Sequence, residues 1–265
     1  MDLPGITEVA DPRSATWRDG DAWLAGGTWL FSEPQPGLRR LLDLRAFGWP
    51  ALRAGADGLE IAATCTLAEL AGLRAPQWRA SPLFGQCCHA LLGSFKVWNA
   101  ATVGGNLCLA LPAGPMISLT AALDGACTIW GPVAPRQVPV ADVVTGPGRC
   151  ALAPGELLRS VHLPAEALAS TTAFRQMSLS RLGRSAAVVI GRRAPSGGGV
   201  VITVTAATAR PVQLRFAGLP AAGDLLDAID AARPPGHDDV HGSPAWRAAI
   251  TRELALDVLA DLAVP

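Results

Sequence analysis

Tyrosine is absent from this chain and lysine occurs once, as Lys96, so arginine carries almost all the positive charge. Acidic and basic residues balance at 22 each, with no block of like charge. That pattern leaves no electrostatic footprint for nucleic acid or an anionic membrane surface. No run of ~18 uncharged apolar residues occurs, so no membrane span is expected. The first residues, MDLPGITEVADPRSATW, lack a basic segment followed by an apolar one, so no signal peptide is expected and the chain reads as cytoplasmic. None of the six cysteines forms a C-x-x-C pair, which argues against a zinc or iron–sulfur site in this chain. They read as small buried hydrophobes. G-x-G-x-x-G is missing after the first strand, and G-K-[ST] and G-x-S-x-G are missing throughout. A Rossmann dinucleotide site, a P-loop and a serine-hydrolase elbow are therefore unsupported.

What the chain has in quantity is apolar residues, half of its 265. That is enough for one large core or two smaller ones. In a chain without a membrane span, it also points to a large subunit interface. Local signals place a short strand at residues 22–25, running into Gly26-Gly27-Thr28, and another at 59–63. Thr66-Leu67-Ala68-Glu69 is a capping box opening a short helix. Ser81-Pro82 reads as an N-cap followed by proline at the first helical position. Leu83, Cys87, Leu91 and Phe95 share one helical face by spacing. Pro115 starts a further helix, and Cys127 to Trp130 reads as a strand. Val200–Thr205 and Val212–Phe216 are β-branched strands, and helices follow near 224–232 and 244–263. Strands followed by helices describe a small α+β unit. Ser196–Gly199 reads as a turn between strands.

Two glycine segments are the candidate binding elements. Ala25-Gly26-Gly27-Thr28 follows a strand, and Ala101-Thr102-Val103-Gly104-Gly105-Asn106 is expected as a loop. Paired glycines let backbone approach a ligand and gather N–H groups into an anion-binding concavity. Two such loops suit the two phosphates of a dinucleotide, with Thr28, Thr102 and Asn106 adding side-chain bonds; each loop alone reads as a tight turn rather than a binding element.

In order and spacing, Trp23-Leu-Ala-Gly-Gly-Thr28, Ile61 to Leu70 and Asn99-Ala-Ala-Thr-Val-Gly-Gly-Asn-Leu107 resemble a known family. Gly146-Pro-Gly148, Pro154-Gly-Glu-Leu-Leu158, Phe174-Arg175 and Ser243-Pro-Ala-Trp-Arg247 continue the match. The chain resembles the FAD-binding medium subunit of the xanthine dehydrogenase and carbon monoxide dehydrogenase family of molybdenum hydroxylases. The resemblance implies an α+β fold. A two-part FAD-binding domain of the vanillyl-alcohol oxidase (PCMH) type, residues 1–168, would be followed by a small α+β C-terminal domain, residues 169–265. It implies FAD contacts at Ala25, Gly26, Gly27, Thr28, Trp29 and Leu30, and at Thr102, Gly104, Gly105, Asn106 and Cys108. Leu158 and Arg175 match positions near the isoalloxazine. It also implies a heterotrimer, with two [2Fe–2S] clusters in a small subunit and the molybdenum cofactor in a molybdopterin-binding large subunit. FAD would pass electrons to NAD, a quinone or oxygen, and no catalytic residue or metal ligand is expected here.

The chain departs from the family pattern in places. Val97-Trp98-Asn99 stands where I-R-N is usual, Trp29 replaces a polar residue, and Pro115 stands where an aspartate is usual. A bridging subunit with weakened or lost FAD binding is the alternative function, and a self-contained flavin oxidase is disfavoured by the short chain. His237 and His241 are four apart, but Pro234, Pro235 and Gly236 make the segment a loop without a third ligand. Cys87-Cys88-His89 is no ligand cluster, because adjacent helical residues point about 100° apart.

Overall fold

The computed structural model describes residues 5–195, 198–232 and 236–264. The chain opens with β1 (Glu8–Ala10), β2 (Asp21–Leu24) and β3 (Arg40–Asp43), a three-stranded parallel sheet in the order β1-β3-β2. Its interior charge is paired: Arg40 makes a two-point bond to Asp21, at 2.9 and 2.7 Å, and reaches the Thr16 carbonyl. Burial alone would raise the Asp21 carboxyl, but the Arg40 hydrogen bond dominates and holds it below its ordinary range.

Next come β4 (Leu52–Gly55), β5 (Gly58–Ala62), α1 (Leu67–Ala71), α2 (Ser81–Ala90), α3 (Phe95–Trp98), α4 (Val103–Leu109) and α5 (Pro115–Ala122). They are followed by β6 (Ala126–Trp130), β7 (Arg136–Pro139), α6 (Val140–Val143), the ribbon β8 (Val144–Gly146) and β9 (Arg149–Cys150), and β10 (Leu157–Pro164). Five of these strands form an antiparallel sheet, β4-β5-β10-β6-β7. The central β10 is almost wholly buried, as a strand covered on both faces must be.

The capping box forms as expected, with Glu69 accepting from Thr66 and the Thr66 hydroxyl accepting from the Glu69 N–H. Three local expectations are corrected. Ser81 is the first residue of α2 and caps nothing. α2 ends at Ala90, so Leu83 and Cys87 are buried on it while Phe95 lies on α3, 81% exposed. The segment 102–106 is a helix start, with Thr102 as N-cap of α4. Every residue of α5 is buried, so it has no polar face and serves as a central strut.

After α7 (Ala165–Leu168) come β11 (Thr171–Met177), β12 (Ala187–Arg193), β13 (Val200–Thr205) and β14 (Val212–Phe216), an antiparallel sheet in sequential order. α8 (Ala222–Ala232) and α9 (Pro244–Ala263) pack beside it. The expected turn at 196–199 lies partly outside the described residues.

α5 joins the two parts. Ser118 and Thr205 share a 2.6 Å hydroxyl bond, Ala206 donates to the Pro112 carbonyl at 2.9 Å, and Gln213 reaches the Ala121 carbonyl at 2.7 Å. Asp124, just beyond α5, takes Arg192 and Arg215. On α9, Arg247 is 1% exposed and four of its five guanidinium N–H donors are used, three on the carbonyls of Ala186, Ala206 and Gly242 and one on Asp239. No helix among the described residues is long and apolar enough to cross a membrane.

Candidate functional site

A cavity of about 710 Å³ lies where the β2–β3 connection meets the α3–α4 connection and the start of α5. Cofactor pockets run to roughly 300–1,000 Å³. Ala25, Gly26, Gly27, Thr28, Trp29 and Leu30 line it from one side, and Thr102, Gly105, Asn106 and Cys108 from the other. These ten expected site residues therefore converge, although 74 positions separate Gly26 from Ala100.

The backbone forces that convergence. A β-carbon on Gly26 would fall 1.8 Å from the Ala100 carbonyl oxygen, so only glycine permits the two segments to touch. Leu67 donates to the Ala101 carbonyl at 2.9 Å, and Thr66 bridges Thr102, so the capping box of α1 anchors the second segment.

The two segments differ in what they offer. Among the described residues, none of the N–H groups from Gly26 to Leu30 donates to a protein acceptor. Such a run suits an anionic oxygen cluster. At the second segment the N–H groups are already used: Val103 on Cys65, Gly104 on Ala63, Gly105 on the Thr102 hydroxyl and Asn106 on the Thr102 carbonyl. The expectation of a second backbone nest is corrected accordingly, because α4 capping consumes those donors. What remains there is the Asn106 side chain. Its Oδ1 accepts from the Met116 N–H at 3.0 Å, fixing the amide and leaving Nδ2 as a donor.

Three expected contacts stand away from the cavity lining. Gly104 faces inward, where a β-carbon would lie 2.5 Å from that of Ala63, so its smallness lets α4 pack on the end of β5. Leu158 is a core residue of β10 opposite Ile129. Arg175 pairs with Asp261 of α9 at 2.6 Å. The resemblance placed these residues by motif; here the Gly104 backbone and the Leu158 side chain are packed in the core, and the Arg175 guanidinium is in an ion pair.

Other lining residues gave no sequence signal. Leu182, Arg184 and His241 arrive from the C-terminal part, and Pro115 lies in the wall at the start of α5. Trp23, also in the wall, donates its indole N–H to the Glu156 carbonyl at 2.8 Å. The Arg136 guanidinium, together with the Ala153 N–H, holds the Glu156 carboxyl down at about 2. Trp98 faces His89 and the Leu91 carbonyl instead.

A second cavity of about 250 Å³ abuts the first, and Leu111, Ala113 and Arg184 line both. His237 lines the second and His241 the first, and no metal-binding cluster occurs among the described residues. Cys87 and Cys88 are buried, and burial pushes the thiols of Cys65, Cys88 and Cys127 up to about 12.

Residues 14–166 match the family described as the FAD binding domain in molybdopterin dehydrogenase. Among curated proteins, none matches the chain. The fold is shared with reconstituted CO dehydrogenase from Oligotropha carboxidovorans, at 19% identity over 98% of each chain and a TM-score of 0.83. It is also shared with a carbon monoxide dehydrogenase from Hydrogenophaga pseudoflava, at 20% identity over 99% of each and a TM-score of 0.82. Quinoline 2-oxidoreductase from Pseudomonas putida 86 matches at 21% identity over 99% of each chain, with a TM-score of 0.77. The chain therefore belongs to the FAD-binding family of the molybdopterin dehydrogenases, an oxidoreductase family whose cofactor at this fold is FAD.

Proposed function

We propose that this chain is the flavoprotein subunit of a molybdenum hydroxylase heterotrimer, working beside a small [2Fe–2S] subunit and a molybdopterin-binding large subunit. When bound, FAD supplies one- and two-electron redox chemistry, the link needed between single-electron clusters and a final acceptor such as NAD, a quinone or oxygen. Residues 1–168 form the FAD-binding domain in this reading and residues 169–265 the C-terminal domain.

The observation that carries the reading is the first segment. Its N–H groups from Gly26 to Leu30 have no protein acceptor, and they lie beside the glycine at which a side chain would strike backbone. These donors would hold the pyrophosphate, with the Thr28 hydroxyl beside them. Asn106 would donate through Nδ2 from the opposite wall. Thr102, Gly105 and Cys108 shape that wall, and Trp29 and Leu30 line the opposite one. Among the lining residues, Arg184 supplies a permanent positive charge for an anionic cofactor.

The purified complex should show flavin absorbance near ~450 nm that is released on denaturation. A complex active toward its organic substrate without that band would overturn the reading. It would favour the bridging subunit, a role to which Pro115 in the cavity wall lends some weight because it offers neither a carboxylate nor an N–H.

A further inference from the structure

Given the function proposed above, we infer that Arg159, framed by tryptophans on the outer face of the five-stranded sheet, receives a carboxylate side chain of the molybdopterin-binding large subunit. Arg159 sits at a bulge in β10, where the register against β6 shifts between Leu158 and Ser160. A bulge re-aims the side chain it carries. Leu59, Ile61 and Ile129 belong to the core, so their strand neighbours Glu60 and Trp130 point outward.

The guanidinium lies among aromatic rings. Its Cζ is 4.5 Å from the centre of the Trp49 ring and 5.6 Å from that of Trp130. Phe47 stacks on Trp49 at 4.6 Å, and Trp130 meets both edge-on, which fixes the frame. Arg159 is 9% exposed, and its Nη1 is enclosed with no hydrogen-bond partner. Glu60 Oε1 lies 3.4 Å from that nitrogen, outside hydrogen-bond geometry, and Glu60 Oε2 lies 3.4 Å from Arg53. Burial disfavours the charged form of Arg159 more than Glu60 favours it.

Two cations thus share one carboxylate, and an enclosed donor goes unused. Buried charge ordinarily has a hydrogen-bonded partner. The tryptophan faces attract the guanidinium without accepting its N–H bonds in the plane. A second carboxylate would neutralise the cluster and accept those bonds. Tryptophan and arginine are also the residues that carry most of the energy at protein interfaces. None of Phe47, Trp49, Trp130 and Arg159 lines the larger cavity. Electron transfer to FAD needs the small subunit at that cavity, which leaves this patch to the large one.

The scarcity of lysine supplies the test. Lys96 is the only lysine, so Arg159→Lys places a single new amine at the patch. Carbodiimide treatment of the intact complex forms an amide between an amine and a carboxylate in contact with it. Mass spectrometry of Arg159→Lys should find a cross-link to an aspartate or glutamate of the large subunit that the parent lacks. Arg159→Met keeps the bulk without the charge. Its complex should dissociate on dilution at about tenfold or more higher concentration than the parent's, as read by mass photometry. It should also lose less affinity than the parent as salt is raised. Flavin absorbance should be unchanged in both variants. Should Arg159→Met not fold, the cross-link alone decides. A cross-link to Glu60 only, a cross-link to the small subunit, or an Arg159→Met complex as tight as the parent's would overturn the inference and leave the proposed function standing. A parent chain that purifies without either partner would overturn both.

Discussion

Gly26 and Ala100 meet backbone to backbone, with no room for a β-carbon between the α-carbon of one and the carbonyl oxygen of the other. Gly26→Ala must push the α3–α4 connection away from the first segment. Displacing packed backbone costs about 1–3 kcal/mol. The expected outcome is a chain that still folds, with a lower unfolding midpoint and little bound FAD. Thermal unfolding and the flavin to protein absorbance ratio check both. Full occupancy in Gly26→Ala would show that the contact does not shape the site.

Asn106 has two roles that separate by substitution. Asn106→Asp keeps an acceptor for the Met116 N–H but removes the Nδ2 donor and adds negative charge to the cavity. It should remain stable and bind FAD about tenfold more weakly, the equivalent of one hydrogen bond. Asn106→Ala leaves the Met116 N–H without an acceptor and should also lose about 1–3 kcal/mol of stability. FAD titration beside chemical unfolding distinguishes the two effects, and equal stability of the variants would argue against the tether.

Pro115 lies in the cavity wall, at the position where the family resemblance implies an aspartate. Pro115→Asp should tighten FAD, since a hydrogen bond to a charged acceptor is worth roughly 1.5–3 kcal/mol. The position is buried, so the same carboxylate without cofactor lacks a partner and lowers the stability of the apo chain. The gain and the loss should appear together, in a binding isotherm and in apo unfolding. An unchanged FAD affinity would remove the missing carboxylate as an explanation for weak binding.

Acid should loosen the wall at Trp23. The Glu156 carboxyl sits at about 2 against an ordinary 4.5, because Arg136 and the Ala153 N–H favour its charged form. A folded-state value below the unfolded one means the stabilisation is fully present above 4.5 and is lost as pH falls toward 2. Glu156→Gln should flatten that part of the stability profile between pH 5 and 2, as followed by unfolding midpoints. An identical acid limb in the variant would assign the sensitivity to other carboxylates.

Arg175 is expected to matter little for the cavity. Its pair with Asp261 is about two-fifths exposed on both sides. Arg175→Ala should therefore cost less than about 1 kcal/mol and leave FAD content intact. Loss of flavin from this variant would restore the role that the motif implied.

These cases show what local sequence can carry. β13, β14 and α9 are readable to the residue because each has its own signal: β-branched runs for the strands, and Ser243 with Pro244 for the helix start. The first glycine segment is readable because its free donors follow from a turn after a strand. Thr102 to Asn106 reads as a loop because Val-Gly-Gly-Asn has poor helix propensity, yet Thr102 caps it and Ala63 packs against Gly104. Arg184, Ser185 and His237 have no common sequence signal, since only the β11–β12 connection and the approach to α9 bring them together. Leu158 and Arg175 show the reverse: the motif is present, but long-range packing and Asp261 claim the side chains.

Arg247 also bears on how the chain is made. Its guanidinium gathers carbonyls from Ala186, Ala206 and Gly242, all of which leave the ribosome before it does. Chains fold largely from the N-terminus during synthesis. The connections around β12 and β13 therefore wait unlatched until the last twenty or so residues emerge and α9 closes over them. A stalled or prematurely stopped product lacking residue 247 would expose those carbonyls and the apolar face of β11–β13, a substrate for chaperones and proteases rather than for assembly with partner subunits.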